Sequence, residues 1–410
     1  MPIIALVRHI LFQMRRDVAH HIGIETFLNR DAGGGVRRIN QAQAFLDTAL
    51  AHQVLNFAGY VDERAALARF ELYLLHHKTI GSHFSTTRAQ RRIHYVRIAP
   101  MHNIPAEKLR GVWSATPTPF DQNGRVDVAS VERLIEHHCR LGVNGLFLAG
   151  TCGEGAWMPN GERRRFVQSA VAANRGRMVI AVQATDNSSA RILDNIEEIK
   201  EDGADMAVIA PPHFLMNATP DNLRALYVDA IRQSPLPIGI YDRGKHGAVT
   251  VPDEVLADLY AQPNVIAAKD SSSDPARREI ALQARRQKPE LALFDGDEFK
   301  CVEYLQAGYD GLMLGGGILH GFIANQMIEA VKSGDVEAAH ECQALMTRLM
   351  FAVYGENIEC WLSGLKKYLV EAGIFETWFN YLKFPLTPKC EADIAQILKT
   401  DRDVLLPSKT

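Results

Sequence analysis

Asn264-Val265-Ile266-Ala267-Ala268-Lys269-Asp270 is the stretch that decides the fold. Its four consecutive apolar residues leave no polar face, the pattern of a parallel strand buried on both sides. The run closes on a lysine, so a cationic side chain starts from an apolar interior. Working outward, seven more runs of this kind flank it: Val112–Ala115, Gly145–Ala149, Met178–Gln183, Met206–Ala210, Pro237–Ile240, Leu291–Phe294 and Gly311–Leu314. They start at intervals of roughly 20–33 residues, the length of a strand-plus-helix unit.

The stretches between the runs carry helix signals. Asp127–Leu141 places Val128, Val131, Leu134 and Ile135 on one face and stops at Gly142. Ser188–Glu201 places Ile192, Ile196 and Ile199 likewise, with Gly203 behind it, and Thr219-Pro220 reads as a cap followed by a first turn. Eight such units predict an α/β protein, a (β/α)8 barrel with a C-terminal helical extension. A doubly wound sheet is the weaker alternative, because no GxGxxG follows the first run. The barrel is expected over 101–320, and helices at Leu319–Lys332, Val336–Val353, Glu359–Glu371 and Glu391–Leu398 define a C-terminal helical region over 321–410.

The chain has 410 residues, 47% of them hydrophobic and 23% charged, with a net charge of -3. That average joins two unlike parts. Residues 1–100 hold 13 Lys and Arg against 7 Asp and Glu, and 8 of the 15 histidines, whereas the rest holds 32 basic against 41 acidic residues. Three readings compete for this basic N-terminal extension: a targeting segment, an accessory domain, or a segment that is not native, with Met101 as the initiator. Vanishing lysine and the lack of helix start and stop signals favour the third. The longest apolar runs fall far short of the ~20 residues of a spanning helix, so no membrane crossing is expected. Without aromatic interleaving or a recognition motif, the arginines do not predict nucleic-acid binding either. Six cysteines, Cys139, Cys152, Cys301, Cys342, Cys360 and Cys390, form no CxxC pair, which argues for reduced thiols in a cytoplasmic protein and against a metal site.

In a barrel, chemistry sits where strands end. Three strand ends carry reactive groups. Lys269 should point into the barrel mouth, where desolvation favours a neutral amine that can attack a ketone to form a Schiff base. On position alone, a lysine paired with Asp270 reads equally well. Tyr241, at the neighbouring strand end, offers a phenol that can donate and recover protons. The loop Gly150-Thr151-Cys152-Gly153-Glu154-Gly155 offers converging N–H groups and a hydroxyl for a carboxylate, with Glu154 read as a structural residue pairing within the loop.

These elements, in this order, resemble the dihydrodipicolinate synthase/N-acetylneuraminate lyase family over about 109–398. The resemblance rests on GVWSATPTPFDQNGRVD, GTCGEG, IAPPHF, the tyrosine of GIYDR, AAKDSSSD, FDGDE and LKKYLVEAGI. It implies a class I lyase with Lys269 as Schiff-base residue, Tyr241 as proton shuttle and Thr151 as the first hydroxyl of the loop. Gly150, Thr151 and Cys152 would hold the carboxylate of pyruvate or a 2-keto acid, with Asp242, Arg243 and Gly315 completing the substrate-binding set. It also implies a homo-oligomer, a tetramer or dimer, and no metal or dissociable cofactor beyond the covalent imine.

The chain departs from the family's synthases at three places. Cys152 replaces a second hydroxyl residue, Phe214 stands where a second tyrosine is expected, and Asp242-Arg243-Gly244-Lys245-His246 lacks the usual proline and displaces the basic residues. These departures favour a 2-keto-3-deoxy sugar acid as substrate, met by Asp242, Arg243, His246, Asp297 and Glu298, for aldol cleavage, condensation or dehydration. The alternatives are a true 4-hydroxy-tetrahydrodipicolinate synthase, a phosphosugar isomerase or epimerase using Gly315-Gly316-Gly317 as a phosphate cradle, and a non-catalytic binding homologue.

Overall fold

The computed structural model describes residues 104–408, so the expectations for residues 1–100 lie outside the described residues. Eight parallel strands close into a barrel in sequence order. They are β1 (Gly111–Ala115), β2 (Gly145–Leu148), β3 (Val179–Gln183), β4 (Met206–Ile209), β5 (Ile238–Asp242), β6 (Val265–Asp270), β7 (Ala292–Asp295) and β8 (Gly311–Leu314). The closed order excludes the doubly wound sheet. Each strand end falls close to its predicted run, with one informative difference. Tyr241 and Lys269 lie inside β5 and β6, because the ladder continues past the apolar residues through Tyr241 opposite Lys269 and Asp242 opposite Asp270.

Helices alternate with the strands: α1 (Val128–Arg140), α2 (Asn160–Asn174), α3 (Ser189–Glu201), α4 (Pro220–Gln233), α5 (Asp253–Tyr260), α6 (Pro275–Gln287), α7 (Cys301–Gln306) and α8 (Gly317–Ser333). Four of them start at side-chain caps: in α1, α3 and α4, Asp127 accepts from the N–H groups of Ala129 and Ser130, Ser188 from Arg191 and Thr219 from Asn222. Asp274 does the same for Ala276 ahead of Pro275. The inner face of each helix packs its apolar stripe against the strands; Val131, Leu134 and Ile135 of α1 are fully buried.

After the barrel come α9 (Val336–Tyr354), α10 (Trp361–Glu371), α11 (Pro388–Thr400) and the single turn α12 (Arg402–Leu405). The helix predicted at Leu319–Lys332 is α8, which packs on β1 and completes the barrel's outer ring. Residue 320, drawn as the end of the barrel, is the point where α8 is broken, with His320 at φ -126° and ψ 20°. Inside the barrel, Trp113 and Phe294 are fully buried with their rings 5.1 Å apart, and in barrels of this kind chemistry sits where the strands end.

Candidate active site

At the mouth, β5 and β6 present Tyr241 and Lys269 to the same side by strict strand alternation. The Lys269 ammonium lies 4.5 Å from the centre of the Tyr241 ring and 5.4 Å from that of Phe147 on β2. Phe147 and Tyr241 meet edge to face at 5.8 Å, so the three side chains form one packed group. Lys269 is buried, yet it has no ion pair or hydrogen bond with any described residue. A buried amine facing aromatic surfaces and no carboxylate is the environment in which a lysine serves as a nucleophile.

The alternative pairing of Lys269 with Asp270 is excluded by the same alternation. Asp270 points to the other side of β6, where it accepts from the N–H of Ser272 at 2.8 Å and the hydroxyl of Tyr309 at 3.1 Å. Burial raises its carboxyl above the ordinary value. Asp242 behaves likewise and corrects its expected role in substrate binding. Its carboxylate faces the helix layer, gripped at 2.6 and 2.8 Å by the Arg277 guanidinium and capped by the N–H of Gly244 at 2.9 Å. A residue next to an inward-facing tyrosine on a strand must face outward.

The loop after β2 folds back on itself. Ala149 leaves the strand with φ 53°, and a side chain at Gly155 would collide with the Ala149 carbonyl, so only glycine closes the turn. Thr118 donates its hydroxyl to the Gly153 carbonyl at 2.6 Å. Gly150 lies against the Phe147 ring, and Thr151 is half-buried. Cys152 is buried with its thiol 3.7 Å from the Gly315 carbonyl. Burial, aided by the charge of Glu298 and opposed by that of Lys269, pushes the Cys152 thiol up to about 12. A thiol so protonated is a packing and hydrogen-bonding group, not a redox centre. Cys152 and Gly315 thus come together, close enough to Lys269 for its charge to act on the thiol.

Glu154 is structural, as predicted, but its partner lies outside the loop. Its carboxylate pairs with Lys366 of α10, both groups fully buried, and accepts from the N–H of Tyr381 at 2.6 Å. Lys366 also donates to the Phe379 carbonyl at 2.9 Å and lies 4.5 Å from the Phe120 ring centre. Desolvation lowers the ammonium's pKa, and the Glu154 charge offsets part of that. The C-terminal layer therefore reaches under the loop after β2 and holds it. The signal for Lys366 was its place on the apolar face of Leu362, Leu365 and Leu369, where a lone cation needs a buried partner.

The rim carries Arg243, His213, Asp297 and Glu298. Arg243 is half-buried just past β5, and its charge, after burial, is the next cause that lowers the pKa of His213. His213 stacks near Trp157 at 6.0 Å, Phe214 is exposed, and His246 and Lys245 are exposed in the turn after Arg243. Asp297 accepts from the Ser273 hydroxyl at 2.8 Å. Glu298 accepts from the N–H of Gly316 at 2.6 Å. That contact removes the expected phosphate cradle: a carboxylate already holds the N–H that a phosphate would need, and its charge would repel one. Among the described residues, no group of His, Cys, Asp and Glu could hold a metal ion.

A closed (β/α)8 barrel with an unpaired lysine and a tyrosine on adjacent strands, facing a glycine-rich loop, defines a class I aldolase-type lyase. The chain belongs to the dihydrodipicolinate synthetase family, whose model matches residues 108–400. Members of that family are class I, pyruvate-dependent lyases, and this protein is an enzyme of that class. It is 29% identical over 295 residues to a 4-hydroxy-tetrahydrodipicolinate synthase of Phenylobacterium zucineum, covering 72% of this chain and 97% of that protein. The dihydrodipicolinate synthase structure from Bacteroides thetaiotaomicron is 26% identical and superposes with a TM-score of 0.66 over 73% of this chain and 99% of that one. A monomeric dihydrodipicolinate synthase variant superposes with the same score at 24% identity, over 72% and 97% of the two chains.

Proposed function

We propose that Lys269 forms a Schiff base with pyruvate or a 2-keto-3-deoxy sugar acid, and that the enzyme cleaves, condenses or dehydrates the sugar acid. The observation that carries this reading is the buried Lys269 amine, free of ion pairs, against the faces of Tyr241 and Phe147. The neutral amine adds to the keto carbon, giving a carbinolamine, and Tyr241 supplies the proton with which its hydroxyl leaves as water. The resulting iminium withdraws electrons from the adjacent carbon. Loss of an aldehyde or a proton there leaves an enamine, and the imine is later hydrolysed to free the lysine. The covalent imine is the electron sink, so the proposed reaction uses no metal and no dissociable cofactor.

The loop backbone at Gly150, Thr151 and Cys152 receives the keto acid's carboxylate. The hydroxylated end of the substrate then meets Arg243, Asp297, Glu298 and Gly315. A rim of ionisable groups with an exposed Phe214 in place of a second phenol supports a sugar acid. The names carried by relatives support a second reading, 4-hydroxy-tetrahydrodipicolinate synthesis. Six cysteines without a disulfide support a reducing, cytoplasmic setting. Exposed Trp157, Phe214 and Met216 support assembly as a homodimer or tetramer.

The test is a substrate panel: 2-keto-3-deoxy acids assayed for release of pyruvate or of a dehydrated 2-keto acid, beside pyruvate with aspartate semialdehyde. Turnover of a 2-keto-3-deoxy acid at least about tenfold more efficient than the condensation supports the first reading, and the reverse order supports the second.

A further inference from the structure

Behind the glycines that follow β8 lies a polar group of side chains that the Schiff-base chemistry does not use. Glu298 hangs from the loop after β7 with 15% of its side chain exposed, at the rim of the mouth. Its Oε1 takes the Gly316 N–H at 2.6 Å and lies 3.3 Å from Nε2 of His320, which is fully buried. The hydroxyl of Tyr354, from α9, reaches the same place: a Cβ built on Gly316 would stand 2.5 Å from His320 Nε2, 2.9 Å from Tyr354 Oη and 3.0 Å from Glu298 Oε1. Any residue larger than glycine at 316 would drive these three groups apart.

Two features separate this cluster from ordinary packing. First, α8 breaks at His320, and the break sets the imidazole against the rim. A helix gives up regular geometry only where surrounding contacts over-determine it. Second, both ring nitrogens of His320 and the hydroxyl of Tyr354 are buried without a hydrogen-bond partner. Buried polar atoms left unpaired are rare, because each forfeits its hydration. The 3.3 Å contact is close but off the line of a hydrogen bond, and such contacts commonly tighten when substrate is bound. Tyr354, whose phenol burial keeps protonated, is a donor waiting for an acceptor.

We infer that His320, backed by Tyr354, is a positioning residue that fixes Glu298 at the rim, so that its free carboxylate oxygen reads a hydroxyl of the substrate beyond the reacting carbon. This rests on the Schiff-base reading of Lys269. The cluster acts on the distal end of the substrate and leaves the imine half of the site alone. It therefore separates recognition of hydroxylated substrates from capture of pyruvate.

The test compares His320→Leu, His320→Gln and Glu298→Gln in the full-length enzyme, with two readouts. Pyruvate capture is measured by borohydride trapping, and KM and kcat are measured on the best 2-keto-3-deoxy acid of the panel. The expected result for His320→Leu is a KM about tenfold higher with pyruvate trapping within about twofold of the parent. His320→Gln, which can still donate to Glu298, recovers most of the loss, and the Glu298→Gln/His320→Leu pair loses little more than Glu298→Gln alone. Equal loss of trapping and turnover, or full additivity in the double variant, overturns the inference. If His320→Leu does not fold, the ring nitrogens of His320 are followed by NMR in Glu298→Gln. Their resonances should move, and unchanged resonances overturn the coupling. Failure of the parent enzyme to trap pyruvate would remove the Schiff-base reading, while the NMR shift would still report on the Glu298–His320 contact.

Discussion

Among the described residues two lysines are buried, one at the barrel mouth and one in the C-terminal layer, and their surroundings are opposite. Lys269 keeps 6% of its surface and faces two aromatic rings with no counter-charge. Lys366 keeps none and is held by Glu154, the Phe379 carbonyl and the Phe120 ring. The Glu154 charge offsets part of the desolvation that lowers the Lys366 pKa, and the pair ties the loop after β2 to the C-terminal layer; Lys269 has no such partner. The lesson is that burial alone does not make a lysine reactive. The partner set does.

The comparison breaks most sharply on activity. Lys269→Ala should lose at least about 10³-fold in kcat, since no other group can form the imine, while its denaturant midpoint stays close to the parent's. Lys366→Met should do the reverse in stability. Stripping one partner from a buried pair costs about 3–5 kcal/mol, read as a fall in the denaturant midpoint at unchanged m-value. Adding Glu154→Gln should recover part of that loss, because no buried charge is then left alone.

Buried groups that must stay neutral sharpen the contrast through pH. His137 and His138 of α1 are pulled down by burial to about 4 and about 3. A folded value below the unfolded one means that folding favours the neutral ring. The stability they contribute is complete above about pH 6.5 and is lost as pH falls towards 4. Between pH 7 and pH 5 each should cost about 2 kcal/mol of unfolding free energy, and a non-titrating replacement of His138 should flatten that slope. The smallest effect is expected at Cys152. With its thiol near 12, it should resist iodoacetamide at pH 8 while half-buried Cys139 and Cys342 react first, and Cys152→Ser should change KM for pyruvate less than about tenfold.

Much of this was legible in the sequence. The eight strands could be read because parallel barrel strands are apolar without alternation, and Lys269 and Tyr241 stood out as polar residues closing such runs. Asp242 faces away from the mouth for a reason the sequence itself contains. Once Tyr241 faces the lumen, strand parity sends its neighbour outward, to Arg277. Lys366 and His320 are harder cases. Each sits in a helix whose spacing marks a buried face, but the acids they meet come from loops: Glu154 lies far back in the chain and Glu298 in the preceding strand-helix unit, and only the folded barrel brings them together.

The proposed chemistry requires that Lys269 carry the imine. Incubating the enzyme with pyruvate, reducing with borohydride and mapping the adduct by peptide mass spectrometry tests this directly. The adduct should fall on the peptide containing Lys269 and be absent from Lys269→Ala. An adduct retained in that variant, or found on Lys366, would contradict it.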